Sequence, residues 1–112
     1  MIAVLFEARP RDGQMAGYLE MAAALRPALA KMDGFISIER FESLSEPGKL
    51  LSLSFWRDET AVRQWREHAE HRAAQRAGRE TIFDDYRLRI ATVLRDYGMT
   101  DRVEAPVDGT SG

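Results

Sequence analysis

Two stretches of this chain carry apolar residues at both parities of a β-strand, and that constrains its fold more than any other feature. In residues 35–44, Phe35, Ser37, Glu39 and Phe41 alternate with Ile36, Ile38, Arg40 and Glu42, and in residues 49–56, Leu51, Leu53 and Phe55 alternate with Leu50 and Trp56. Successive strand side chains point to opposite faces, so a sheet built from these segments is apolar on both. A small chain with one pair of helices covers only one face. Something outside the chain must cover the other, and a second copy is the simplest candidate.

Size sharpens the argument. A single domain of 112 residues buries only roughly 60–65% of its unfolded surface, so an added partner contributes appreciably to stability. No apolar run reaches the ~20 residues that span a bilayer, and residues 1–6 stop at Glu7 without a basic leader or cleavage site, which sets the cytoplasm as the expected location and no membrane as a partner. Sixteen Lys and Arg are interspersed with eighteen Asp and Glu; without a basic stripe, nucleic acid is not an expected partner. The chain has no cysteine, hence no disulfide, thiolate nucleophile or sulfur ligand. It also has no asparagine.

Periodicity orders the elements. Residues 2–9 form an apolar strand ending in Pro10 and the Asp12-Gly13 turn. From Gln14 the period becomes helical, with Met15, Tyr18, Ala22, Leu25 and Leu29 near one face. Pro27 is expected to bend that helix or loosen its last turn, and Asp33-Gly34 ends it. Strands over 35–44 and 49–56 flank a Pro47-Gly48 turn and form a hairpin. Asp58 caps a second helix expected to run to about Ala77 and stop at Gly78; its apolar stripe drifts, which predicts a kink between His68 and Arg72. A last strand spans 82–94. The domain covers residues 1–97, and residues 98–112 form an aperiodic tail, expected to be mobile. The order β-α-β-β-α-β is the ferredoxin-like α+β arrangement, a four-stranded antiparallel sheet with both helices on one face. Its uncovered apolar face, hidden against a twin, makes a dimeric α/β barrel.

Asp33-Gly34-Phe35, Glu39 and Phe41, Ser54-x-Trp56-x-Asp58, and Ala61-x-x-x-Trp65-x-x-His68 together resemble the antibiotic biosynthesis monooxygenase family of the dimeric α/β-barrel superfamily. The resemblance implies a homodimer with a pocket between each sheet and its helices. It implies either a cofactor-free oxidation of an electron-rich phenol, quinol or anthrone by O₂, or haem binding and degradation. The asparagine used in both branches has no counterpart here. Where the haem-ligating histidine would stand, further along the helix than His71, this chain has Gln75, a poor iron ligand; haem is the less favoured cofactor and none the expected one.

Trp65 reads first as a core residue tying the second helix to the sheet, and as a candidate to stack a flat substrate; a pocket wall can be both. His68 is one helical turn on; its unperturbed pKa of about 6.5 suits a general base. Arg72 shares the helical angle of Trp65 and is the candidate to stabilise an anion. Phe55, Phe83 and His71 complete the expected substrate-binding set. Both histidines could instead be solvent-facing, in a run that also holds Arg66, Glu67, Glu70 and Arg72, and Arg72 could instead pair with Asp84 or Asp85. Glu39, Arg87 and Arg89 read as polar crosslinks inside the dimer. Two histidines without a His-x-x-x-His pair give no metal-site pattern. A ligand-binding dimer without catalysis is the alternative to an enzyme.

Overall fold

The computed structural model describes residues 1–68, 72, 76 and 81–107. The elements are β1 (Ile2–Pro10), α1 (Met15–Ala30), β2 (Phe35–Glu42), β3 (Leu50–Trp56), α2 (Glu59–Glu67) and β4 (Phe83–Thr92). Their order is the one read from the periodicity. The strands form one antiparallel sheet in the order β2-β3-β1-β4. The strands are shorter than the apolar patterning suggests at the hairpin, where Ser43 donates its N–H to Lys49 O at 2.9 Å and Gly48 takes φ +86°.

The register sorts every strand residue to one side or the other. Val4 lies opposite Ser54 and Ile90, and Phe6 opposite Ser52 and Leu88; Ile38 and Arg40 face the same two serines from β2. This set, with Leu50 and Trp56, meets the helices, and it is the inward face. Leu5, Leu51, Leu53, Phe55 and Phe41 occupy the other parity with Glu7, Glu39, Arg87 and Arg89, and form the outward face. Arg89 and Glu7 pair across it at 3.1 Å. Phe41 is 44% exposed on that side, and its leucine neighbours are half-buried.

Helix α1 buries Tyr18, Ala22 and Leu29 against the sheet. Pro27 lies inside it, and the helix closes on i→i−3 bonds, Lys31 N to Ala28 O at 3.2 Å and Met32 N to Leu29 O at 3.1 Å. The tightened last turn is a usual way to satisfy terminal carbonyls. Helix α2 starts at an Asp58 cap, whose Oδ1 accepts from Ala61 N at 2.9 Å. It stops sooner than its patterning suggests: His68 has extended backbone angles (φ −64°, ψ 133°), and the backbone is helical again at Arg72 and Arg76. The expected kink is thus a full break at His68. The expected end near Ala77 and Gly78 lies outside the described residues.

Gly34 explains why Asp33-Gly34-Phe35 opens β2. Its φ is +84°, and a Cβ there would stand 2.6 Å from that of Ala61, so a side chain meets both backbone strain and a clash. Around it Arg57 N donates to Gly34 O at 2.7 Å, and the Arg57 guanidinium bridges Asp33 at 2.9 Å and Asp58 at 3.1 Å. The motif is a joint between β2, β3 and α2. After β4, residues 98–107 contain neither helix nor strand; Gly98 N donates to Asp101 O at 2.8 Å, and Arg102 lies over the Tyr97 ring at 5.1 Å.

Candidate functional site

The inward face packs in two separate clusters. One gathers Ala8, Tyr18, Leu50, Ile82 and Phe83; the other gathers Leu29, Trp56, Ala61, Val62 and Trp65. Between them the inward positions of β3 are Ser52 and Ser54, too small to meet the helices. The gap is a cavity of ≈ 370 Å³, within the range of small-molecule sites. Its floor is Val4, Phe6, Ile38, Arg40, Ser52, Ser54 and Trp56, and its roof is Tyr18, Met21, Ala22, Leu25 and Leu29 from α1 with Val62, Trp65 and Arg66 from α2. Phe83 closes one end. Along β4, Tyr86, Leu88 and Ile90 line the cavity and stay 40–43% exposed.

Aromatic contacts fix the walls. Phe83 meets Phe6 at 5.5 Å and Tyr18 at 5.4 Å, both edge to face, the preferred geometry for ring quadrupoles. At the other end Trp56 meets Phe35 at 5.3 Å and its Nε1 donates to Ser54 Oγ at 2.9 Å. The polar groups are few. Arg40 Nε donates to Tyr18 Oη at 3.3 Å, with its guanidinium carbon 5.8 Å from the ring centre. No aspartate, glutamate or histidine is among the described residues of the lining.

Of the residues expected to bind substrate, Trp65 and Phe83 line the cavity. Phe55 does not: its parity puts it on the outward face, beside Leu51 and Leu53. His68 stands outside the lining, its ring stacked on Trp65 at 5.5 Å and 29°, because the chain leaves the helix at that residue. Arg72 is exposed and also outside the lining; its N–H donates to His68 O at 2.9 Å. His71 and Gln75 lie outside the described residues. Sequence reasoning missed Arg40, Tyr18, Ser52 and Ser54 as a group. The signal was there: Ser52 and Ser54 share the parity of Leu50 and Trp56, so one face has large ends and a small middle.

Among the described residues the shifted ionisations belong to the joint, not the cavity. The Arg57 hydrogen bond and charge hold the Asp33 carboxyl below its ordinary range, and the Ala61 N–H does so for Asp58, with Arg57 second. Among the described residues no group of three His, Asp or Glu is placed to hold a metal ion, and no helix is long and apolar enough to cross a membrane.

Comparison with known proteins agrees with this architecture. A family model described as "Antibiotic biosynthesis monooxygenase" matches residues 1–77. The chain is 52% identical over 93 residues to a Pyricularia oryzae protein named "Jasmonate monooxygenase ABM", covering 83% of this chain and 43% of that protein; it therefore spans less than half of that relative's length. It is 31% identical over 93 residues to the uncharacterised protein YqjZ of Bacillus subtilis, covering 83% of this chain and 79% of YqjZ. Among solved structures, Rv0793 from Mycobacterium tuberculosis superposes with a TM-score of 0.77 at 18% identity, over 87% of this chain and 98% of that one. A conserved protein from Methanosarcina mazei Go1 gives 0.73 at 18% identity, over 80% and 89%. At these identities the two structures speak for the fold.

Proposed function

We propose that this chain, which belongs to the antibiotic biosynthesis monooxygenase family, is a monooxygenase that oxidises a small electron-rich aromatic, a phenol, quinol or anthrone, in the cavity between its sheet and helices. The observation that carries this reading is the cavity itself: ≈ 370 Å³, lined by both tryptophans of the chain and by Phe6, Phe83 and Tyr86. Flat apolar walls suit a flat ring.

The reaction needs no outside reductant. A deprotonated phenol or enol donates an electron to O₂ far more readily than its neutral form. After recombination and loss of water, a CH₂ group and O₂ become a C=O group and H₂O, the substrate supplying all four electrons. The proposal accordingly includes no metal, flavin or haem. Trp65 and Phe83 hold the ring. His68, stacked on Trp65 just outside the lining, is the proposed base. A second copy is proposed to cover the outward face, where Leu5, Leu51, Leu53, Phe41 and Phe55 lie together.

Oxygen uptake with a panel of quinols and anthrones tests the reading. One O₂ per substrate is expected, slowed about 100-fold by His68→Ala, the lower range for loss of a general base. A compound that binds and returns unchanged under air would make the protein a binder. Because one relative is named for jasmonate, jasmonate is the first compound to add beyond the aromatic class; turnover of it alone would replace the aromatic assignment.

A further inference from the structure

We propose that the cavity selects its ligand by charge as well as by shape: Arg40, with Tyr18 and Ser52 beside it, seats a carboxylate carried at one end of an apolar small molecule. This rests on the reading of the cavity as the substrate chamber and adds the chemical class that the chamber accepts.

The donors outnumber the acceptors. Arg40 is half-buried and lines the cavity, and its guanidinium is charged at every physiological pH. Nε is occupied by Tyr18 Oη. The two terminal nitrogens make no hydrogen bond or ion pair with any described residue. Tyr18 Oη accepts from Nε and so directs its own proton elsewhere. Ser52 faces Arg40 in the β2–β3 register, is 8% exposed, and makes no side-chain hydrogen bond among the described residues. Among the described residues no fully enclosed polar side-chain atom lacks a partner, so these unpartnered groups open onto accessible volume, and the volume that they line is the cavity.

Charge points the same way. The described lining holds two cations, Arg40 and the exposed Arg66, and no acid. A cation drawn partly out of water without a counter-ion is unfavourable, and an incoming anion reverses that. The open pair of guanidinium nitrogens forms a planar fork, which matches the two oxygens of a carboxylate. One half-buried guanidinium suits a single negative charge better than a phosphate dianion. Phe6, Phe83 and the two tryptophans then receive the apolar body.

Calorimetric titration with 2-naphthoate and its neutral counterpart 2-naphthylmethanol tests the proposal without any oxygen chemistry. The wild-type protein is expected to bind the acid at least tenfold tighter than the alcohol at pH 7.5. Arg40→Gln should erase that preference while leaving the alcohol's affinity within about twofold, and Arg40→Lys should keep part of it. Equal wild-type affinities, or a preference that survives Arg40→Gln, would overturn the carboxylate seat and leave the cavity as a small-molecule site. Failure of both probes to bind wild type would overturn both readings. Should Arg40→Gln not fold, Arg40→Lys and Tyr18→Phe carry the test: each should lower the preference several-fold, and an unchanged preference in both would overturn it.

Discussion

The inward and outward sides of β3 come from one strand, one residue out of step, yet they do different things. Inward, Leu50 and Trp56 bracket Ser52 and Ser54; outward, Leu51, Leu53 and Phe55 run without a small residue between them. Large ends with a small middle leave a hole that two helices roof over. An unbroken row of large apolar groups leaves no hole and makes a surface for packing. The difference teaches that a pocket and a flat apolar surface can be written into the same seven residues by side-chain volume alone, with hydrophobic periodicity unchanged.

Four substitutions break or sharpen that contrast. The largest effect is expected from Trp56→Ala, which removes a residue only 2% exposed and should lower unfolding stability by about 3–5 kcal/mol, read from denaturant midpoints. Next, Leu53→Asp places a charge in the middle of the outward row. It should leave the chain folded and weaken self-association by about 2 kcal/mol or more, because the charge must be desolvated at the contact; sedimentation at several concentrations measures it. Ser52→Leu fills the small middle from within. It removes no side-chain hydrogen bond among the described residues, so stability should change by less than about 1.5 kcal/mol while binding of 2-naphthylmethanol falls below detection.

The smallest effect concerns the joint that aligns both faces with α2. Asp33 and Asp58 have carboxyl pKa values held below the ordinary range, so their contribution to stability is present above about pH 4, the unfolded value, and disappears as pH falls through the folded one. Arg57→Gln should therefore cost stability at pH 6, and its difference from wild type should shrink as pH falls below about 4. The pairs are exposed, so added salt should shrink the pH 6 difference.

Much of the fold was legible because period and punctuation agree. Tyr18, Ala22 and Leu29 fall on one helical face, Asp58 is a cap, and Pro47-Gly48 marks a hairpin. The parity of β3 was legible too. Which parity meets the helices was not, since both are apolar, and that is why Phe55 reads as a pocket residue until the register places it outside. Small size was the overlooked clue: Ser52 and Ser54 mark the face that opens. His68 follows Trp65 at helical spacing and does stack on it, but the chain turns extended at that residue and the imidazole stands outside the lining. Arg40 was hidden by a different ambiguity. On a strand with Glu39 and Glu42 nearby, an arginine looks solvated, and only the pairing of β2 with β3 turns it toward Tyr18.

Side-chain methyl and indole NMR during titration with 2-naphthoate is the most direct test of this division between faces. The account predicts that the methyls of Val4, Leu25, Leu29 and Ile38 and the indole N–H groups of Trp56 and Trp65 shift, while the methyls of Leu51 and Leu53 stay in place. Shifts concentrated at Leu51 and Leu53 with the indoles unmoved would contradict it.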